Sequence, residues 1–118
     1  MLELSALETG YGETRVIHGL TLEAKPGRML AILGRNGAGK TTTLKAVMGL
    51  LPVISGDIRF DGHSIAKTKP YDIARLGVAY VPETRDIFPS LTVKENLLLA
   101  GRTAPANAEW TLERVIDF

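Results

Sequence analysis

The feature that most constrains this chain is a glycine-rich segment at residues 34–42, which reads GRNGAGKTT. It fits the pattern G-x-x-x-x-G-K-[ST], whose glycines take backbone conformations that a Cβ would block. Successive N–H groups can then turn inward around an anion. The segment therefore predicts a phosphate-binding loop, in which Lys40 reaches the outer phosphates and Thr41 offers a hydroxyl to Mg²⁺. The other loop residues expected to bind the phosphates are Asn36, Gly37, Ala38, Gly39 and Thr42.

The sequence on either side of this loop is typical of the setting that the loop requires. Residues 29–33 form an unbroken apolar run, which suits a strand buried on both faces of a parallel sheet. After the loop, apolar side chains recur at helical spacing, at Leu44, Val47, Met48 and Leu51. We therefore expect a buried strand, the loop and an amphipathic helix in that order. The alternative is a glycine-rich turn that binds nothing.

The composition excludes several classes of protein. The 118 residues are 45% hydrophobic and 23% charged, as expected for one globular domain or part of one. A net charge of +1 gives no basic excess for nucleic acid, and the absence of cysteine excludes disulfides and thiolate metal sites. The chain has no signal-peptide core and no apolar run near the ~20 residues that span a bilayer. We expect a cytoplasmic protein that reaches a membrane only through a partner.

Two strands of antiparallel type are predicted before the loop. Leu2, Leu4 and Ala6 alternate with polar residues, which indicates one buried face, and alternation returns over residues 14–24. A turn at Pro26 and the next glycine then leads to the apolar run.

The break between these strands contains Tyr11, which lies between two glycines. An exposed aromatic ring on a flexible turn can stack on a base. We expect Tyr11 to stack on adenine; the alternative is a turn tyrosine that caps the sheet. Val16, on the following strand, is also counted among the nucleotide-binding candidates.

Beyond the first helix, residues 57–60 predict another half-buried strand and residues 70–77 a short helix. A second apolar run at residues 78–81 predicts another core strand, ending at Pro82 and Glu83. Ligands bind at the carboxyl ends of core strands in open α/β sheets. Glu83 is therefore a candidate to contact Mg²⁺ or the attacking water, although its sequence pattern alone favours a solvated loop carboxylate.

The last third of the sequence predicts two helices. Residues 92–95 form a capping box, and Val93, Leu97 and Ala100 would line the inner face of the helix that it opens. A polar link at residues 103–108 leads to a helical pattern that runs to the end without a stop signal. We expect the natural sequence to continue.

Several motifs together resemble the N-terminal half of an ABC-transporter ATP-binding subunit. Residues 10–12 resemble the aromatic A-loop, residues 34–42 the Walker A loop in its ABC form, and residues 55–58 the start of the family's "SG-x-I" hairpin. Residues 80–83 lie where the Q-loop should be, and residues 88–97 resemble the "LTV-x-EN" start of the helical subdomain. The resemblance covers nearly the whole chain.

This resemblance implies an α/β fold: a P-loop NTPase nucleotide-binding domain of ABC type, here truncated. Residues 1–90 would be the antiparallel β subdomain and P-loop core, and residues 91–118 the start of the helical subdomain. It also implies ATP and Mg²⁺ as cofactors. The implied partners are transmembrane permease subunits and a second ATP-binding subunit, identical or not, at the inner face of the cell membrane. The region between Glu83 and Leu98 would contact the permease, with Phe88 and Leu91 partly exposed or simply packed at the helix start.

Within the family, residues 34–37, 81–83 and 86–89 resemble the ATPases of importers for branched-chain or other hydrophobic amino acids. Urea-type and short-amide importers look similar over the same stretches. Most of the family has glutamine where this chain has Glu83, whereas the amino-acid subgroup often has glutamate. A carboxylate there would add negative charge beside the γ-phosphate.

The family's hydrolytic motifs do not occur in this sequence. There is no LSGGQ signature, no Walker B strand ending in Asp-Glu and no switch histidine. Within this sequence, Lys40 and Glu83 are the catalytic candidates, and Thr41 and Glu83 are the candidate metal ligands. We expect this segment at most to bind nucleotide, while the full-length protein hydrolyses ATP. The alternatives are a non-catalytic module that binds nucleotide or a partner, and a P-loop small-molecule kinase, against which the hairpin after the first helix argues.

Overall fold

The computed structural model describes residues 1–84, 86–102 and 104–118. The elements in chain order are β1 (Leu2–Tyr11), β2 (Thr14–Ala24), α1 (Lys40–Val47), β3 (Val53–Phe60), β4 (His63–Ser64), α2 (Pro70–Arg75), α3 (Val93–Gly101) and α4 (Leu112–Asp117). They belong to two compact units, residues 1–73 and residues 74–118. None of the helices among the described residues has the length and apolar character needed to cross a membrane.

The first unit is built on an antiparallel sheet. Its strand order is β2-β1-β3-β4, so β1 is central and pairs with both β2 and β3. Leu4 and Leu7 of β1 and Ile58 of β3 are all at most 1% exposed. Burying a side chain of this size stabilises a fold by roughly 1.5–3 kcal/mol. The prediction of two antiparallel strands before the loop is therefore confirmed.

The predicted inward face of β1 is wrong beyond Leu4. Ala6 is exposed and has a φ of 46°, while Leu7 is buried in its place. The pairing register with β2 shifts between Leu4 and Leu7, as expected at a β-bulge, which moves later side chains to the other face. Gly56 of β3 permits this bulge, because a Cβ there would lie 2.3 Å from the carbonyl oxygen of Ala6.

Helix α1 packs on the sheet, but through a face that differs from the predicted one. Leu44 is 46% exposed, whereas Thr43, Ala46 and Val47 are buried. The helix ends at Val47, so Met48 and Leu51 of the predicted apolar face lie beyond its end. Small and β-branched side chains therefore line the contact of α1 with β1 and β2.

The two predicted core strands are not formed among the described residues. Residues 29–33 and 78–81 are in no strand, and Met29, Leu33 and Val81 are 84–97% exposed. A strand forms only when a neighbouring backbone accepts and donates its ladder hydrogen bonds. Neither run has such a neighbour in the described part of the chain, so an apolar sequence alone does not make it a strand.

The second unit contains α3 and α4. The capping box at Thr92 and Glu95 is confirmed: the Thr92 hydroxyl accepts from the Glu95 N–H at 3.1 Å, and the Glu95 carboxylate accepts from the Thr92 N–H at 2.9 Å. Of the predicted inner face of α3, Leu97 and Ala100 line a cavity beside α4. Val93 does not belong to this face, because it is 78% exposed, and no residue of the helix is buried.

The side chains of α3 stay exposed because the side of the helix that faces α4 borders a cavity. Between α3 and α4 is a cavity of about 630 Å³, lined mostly by apolar side chains that include Leu98, Trp110 and Val115. Trp110 also contacts two nearby side chains. Its ring meets the Phe118 ring edge-on, with 5.5 Å between the ring centroids, and the guanidinium carbon of Arg114 lies 4.3 Å from the Trp110 ring centroid. Of the predicted link at residues 103–108, Thr103 lies outside the described residues.

A lowered carboxyl pKa in the β3–β4 hairpin should make the free energy of unfolding depend on pH. The Ser64 hydroxyl donates to the Asp57 carboxylate at 2.6 Å, and this hydrogen bond, with smaller contributions from Arg59 and the Ile58 N–H, lowers the pKa of Asp57. A carboxyl whose pKa falls on folding stabilises the fold at neutral pH, and this contribution is lost as pH falls below the ordinary aspartate pKa of about 4.

Replacing Ser64 by Ala should therefore raise the pKa of Asp57 toward its ordinary value. The free energy of unfolding should then fall less as the pH is lowered. An NMR titration of the Asp57 carboxyl in both proteins measures the change. Thr84→Ala is a control, since its hydroxyl donates to a different carboxylate, that of Asp86, at 2.6 Å. An unchanged Asp57 titration in Ser64→Ala would contradict this assignment.

Candidate functional site

The glycine-rich loop leads directly into α1 through backbone conformations that favour glycine. Gly37 has a φ of 82° and Gly39, at the N-cap of α1, a φ of 98°. The carbonyl of Gly39 then accepts from the N–H of Thr43 at 2.9 Å and from the Thr43 hydroxyl at 2.8 Å. The prediction of a glycine-dependent loop opening a helix is confirmed at these positions.

Strand β2 supports the loop from behind. A Cβ on Gly39 would lie 2.4 Å from Cδ1 of Ile17 and 3.5 Å from Cγ1 of Val16. Ile17 is 8% exposed, so its side chain is held in place and cannot simply move aside. The structure therefore places Val16 beside the loop and Ile17 closer still. A role for Val16 in nucleotide binding stays a prediction.

Lys40 lies over the loop that precedes it. Its ammonium donates to the carbonyl of Gly34 at 2.5 Å. Its stem lies 3.9 Å from where a Cβ of Gly34 would be. The lysine charge is thus placed at the mouth of the loop, on a flexible side chain.

The first turn of α1 carries no acidic residue, so no carboxylate in that turn offsets the positive end of the helix. Thr41 is exposed in this turn, while Thr42 is 6% exposed and Thr43 3%. Of the three threonines, Thr41 is the only one exposed to solvent. Positive-φ glycines, a helix N-terminus and a lysine fit a phosphate group, and a single hydroxyl fits Mg²⁺ shared with phosphate oxygens.

The remaining candidates, Tyr11 and Glu83, lie outside the glycine-rich loop and α1 in the sequence. Tyr11 is the last residue of β1 and is 47% exposed, paired with Thr14 across the hairpin turn. Glu83 is exposed in a turn of the second unit. Base stacking by Tyr11 and metal or water contact by Glu83 stay predictions.

Sequence reasoning missed two residues that shape the loop, Ile17 and Thr43. Ile17 was missed because the alternation predicted over residues 14–24 breaks beside it, where the pairing with β1 shifts register between Thr9 and Gly10 of that strand. Thr43 is one of three consecutive threonines, and nothing in the sequence distinguishes the one that turns back to Gly39.

A family model described as "ABC transporter" matches residues 17–117. The chain belongs to the ABC transporter family. The match spans both units, from β2 through the phosphate loop to α4. The resemblance based on the A-loop, Walker A and "LTV-x-EN" motifs is therefore confirmed at the level of the family.

Curated relatives are similar along most of this chain. A probable branched-chain amino acid transport ATP-binding protein LivF from Archaeoglobus fulgidus is 38% identical over 103 residues, covering 87% of this chain and 44% of the relative. The high-affinity branched-chain amino acid transport ATP-binding protein BraG of Pseudomonas aeruginosa is 38% identical over 101 residues, covering 86% and 43%. A Nod factor export ATP-binding protein I from Paraburkholderia xenovorans is 41% identical over 101 residues, covering 86% and 33%.

The fold of this chain is also similar to that of a solved structure. A structure described as the ATP binding subunit of an ABC transporter superposes with a TM-score of 0.79 at 36% identity, covering 92% of this chain and 44% of that one. The chain therefore has an ABC-type ATPase fold. It spans less than half the length of these relatives.

The contact between Gly39 and Ile17 makes a stability prediction. Gly39→Ala adds both an unfavourable φ and a clash, whereas Gly12→Ala, at φ 57° with nothing within 4 Å of the new Cβ, adds only the first. We expect Gly12→Ala to lower the free energy of unfolding by about 1 kcal/mol and Gly39→Ala by a further 1–3 kcal/mol or so.

Urea unfolding of the purified chain measures both values. Ile17→Val removes only the Cδ1 methyl that the new Cβ would meet, so it should recover part of the loss in Gly39→Ala. Equal losses for the two glycine variants, or no recovery by Ile17→Val, would show that Ile17 does not constrain the loop.

Proposed function

We propose that this chain is the nucleotide-binding part of the ATP-binding subunit of an ABC importer for branched-chain or other hydrophobic amino acids. The observation that carries the proposal is the geometry at the start of α1. There, two positive-φ glycines, the N-terminal turn of the helix and the Lys40 ammonium meet at one loop. Backbone N–H groups and a helix N-terminus bind phosphate because both present partial positive charge.

Each loop residue then has a role with Mg²⁺-ATP. Lys40 would bind the β- and γ-phosphates in place of the Gly34 carbonyl, where its charge would offset theirs. The backbone over residues 36–39 and Thr42 would surround the phosphates, and the Thr41 hydroxyl would be a ligand of Mg²⁺. Tyr11 would stack on adenine, and Val16 would contribute to the same nucleotide site.

Hydrolysis would need groups beyond this loop. Glu83 is the candidate to orient the attacking water or to contact the metal, and its carboxylate is exposed to solvent. A second ATP-binding subunit would close the site with its signature loop, which Asn36 would face. Hydrolysis of the terminal phosphoanhydride bond of ATP would supply the free energy for transport. The residues of this chain would hold and orient the ATP.

The amino-acid substrate class is supported by the names of two relatives and by the motif at residues 81–83, shared with that subgroup. An ATP-binding subunit does not touch the solute, and a Nod factor export protein is equally similar, so the permease must decide the cargo. In the proposed assembly, residues 1–90 form the catalytic core, residues 91–118 begin the helical subdomain, and the subunit is peripheral on the cytoplasmic face of the membrane.

Nucleotide binding gives the first test. Lys40→Ala removes one charge-assisted contact with phosphate, so the Kd for Mg²⁺-ATP should rise about 10- to 100-fold in calorimetric titration. Lys45→Ala removes the same charge from the last turn of the same helix and should leave the Kd within about twofold. Equal affinity of the wild type and Lys40→Ala would contradict the proposed site.

Transport gives the second test. The full-length protein, reconstituted with its transmembrane subunits in liposomes, should support ATP-dependent uptake of labelled leucine but not of labelled glucose. Lys40→Ala should abolish uptake, because bound nucleotide powers the cycle. ATP-dependent uptake of a different solute with no leucine uptake would overturn the substrate class and leave the ATP-binding role intact.

A further inference from the structure

The side chain of Asn96, in the first half of α3, is bonded to the segment that precedes the helix. Its Nδ2 lies 2.9 Å from the carbonyl oxygen of Thr92, 3.2 Å from that of Phe88 and 3.3 Å from that of Leu91. Its Oδ1 accepts from the N–H of Phe88 at 3.0 Å. One side chain therefore contacts backbone groups of Phe88, Leu91 and Thr92.

The orientation of this amide follows from its neighbours. Three carbonyl oxygens require the NH₂ group on one side, and the Phe88 N–H requires the carbonyl oxygen on the other. Turning the amide over would set donor against donor and acceptor against acceptor. Asn96 is half-buried, so water substitutes only partly for these bonds.

The segment that Asn96 holds displays apolar side chains. Ile87 is 70% exposed, Phe88 55% and Leu91 37%, and residues 87–93 contain no charge. The turn is closed by the Leu91 N–H, which donates to the Phe88 carbonyl at 3.1 Å. Fixing apolar side chains in advance reduces the ordering entropy that a partner would otherwise have to overcome.

We propose that Asn96 is a positioning residue: it holds residues 88–92 in one conformation so that Phe88 and Leu91 are presented to an apolar segment of the transmembrane subunit. This rests on the proposed function, which supplies the partner. The uncharged stretch selects an apolar occupant, because a charged surface would lose solvation against it. Asn96 lies outside the nucleotide loop, so its effect is on coupling to the partner and not on nucleotide binding.

The first experiment tests the clamp in the 118-residue chain. Asn96→Ala removes all four contacts and raises helix propensity, so any loosening cannot be ascribed to weaker helix formation. Amide hydrogen exchange at Phe88 and Leu91 should accelerate at least about tenfold. Asn107→Ala, at an exposed asparagine in the same unit, should leave exchange at these two amides unchanged.

Thr92→Ala separates the clamp from the helix cap. It breaks the capping box, since the Thr92 hydroxyl accepts from Glu95, but leaves the Asn96 side chain with its partners on the main chain. It should speed exchange at Glu95 more than at Phe88. If Asn96→Ala leaves exchange at Phe88 and Leu91 unchanged, or if Thr92→Ala speeds exchange at Phe88 as much, the clamp is refuted.

The second experiment tests the consequence in the full-length protein. ATP hydrolysis is measured with and without the transmembrane subunits reconstituted in liposomes. Asn96→Ala should keep basal hydrolysis and lose most of the stimulation, at least about fivefold, while Asn107→Ala matches the wild type.

The two failures are distinguishable. If the wild type is not stimulated by the transmembrane subunits, the proposed function fails, and the exchange measurement still decides the clamp. If the wild type is stimulated and Asn96→Ala is stimulated equally, Asn96 does not position the docking surface and the inference is overturned. Loss of basal hydrolysis in Asn96→Ala would also overturn it, because the effect would then reach the catalytic site.

Discussion

The close contact between Gly39 and strand β2 is the constraint on which the proposed phosphate site depends. Space for the Ile17 side chain exists only because residue 39 has no Cβ, and the same glycine has a φ of 98°. Its carbonyl begins α1 by accepting from Thr43 twice. The sheet, the loop and the helix thus meet at one backbone position, and the direction in which α1 points its N-terminus follows from that contact.

This arrangement explains why the antiparallel sheet matters for a site to which it contributes few polar groups. β1 is pinned between β2 and β3, with a bulge at Ala6 that Gly56 accommodates. A sheet fixed in this way gives β2 a defined position, and β2 in turn gives the loop a rigid support. Binding sites formed by loops are most precise when packed regular elements hold them.

Much of the fold and site could be predicted from local patterns, and the failures share a physical cause. The loop, the capping box at Thr92 and the antiparallel strands were predictable because each depends on neighbours close in sequence. The runs at residues 29–33 and 78–81 were predicted as strands, but strand formation requires a partner backbone, and none pairs with them among the described residues. The predicted burial of Val93 on α3 is wrong for a related reason, because burial depends on what packs against a helix. Ile17 and Asn96 act through contacts that no spacing rule describes.

The central claim is that this chain forms the nucleotide-binding part of an ABC ATPase site and does not complete the hydrolytic part. Steady-state ATP hydrolysis by the purified 118-residue chain, compared with its Lys40→Ala variant, tests this most directly, provided that binding of Mg²⁺-ATP is measured in the same samples. The account predicts that the wild type binds nucleotide and that neither protein turns ATP over above background. Turnover by the wild type that disappears in Lys40→Ala would contradict it.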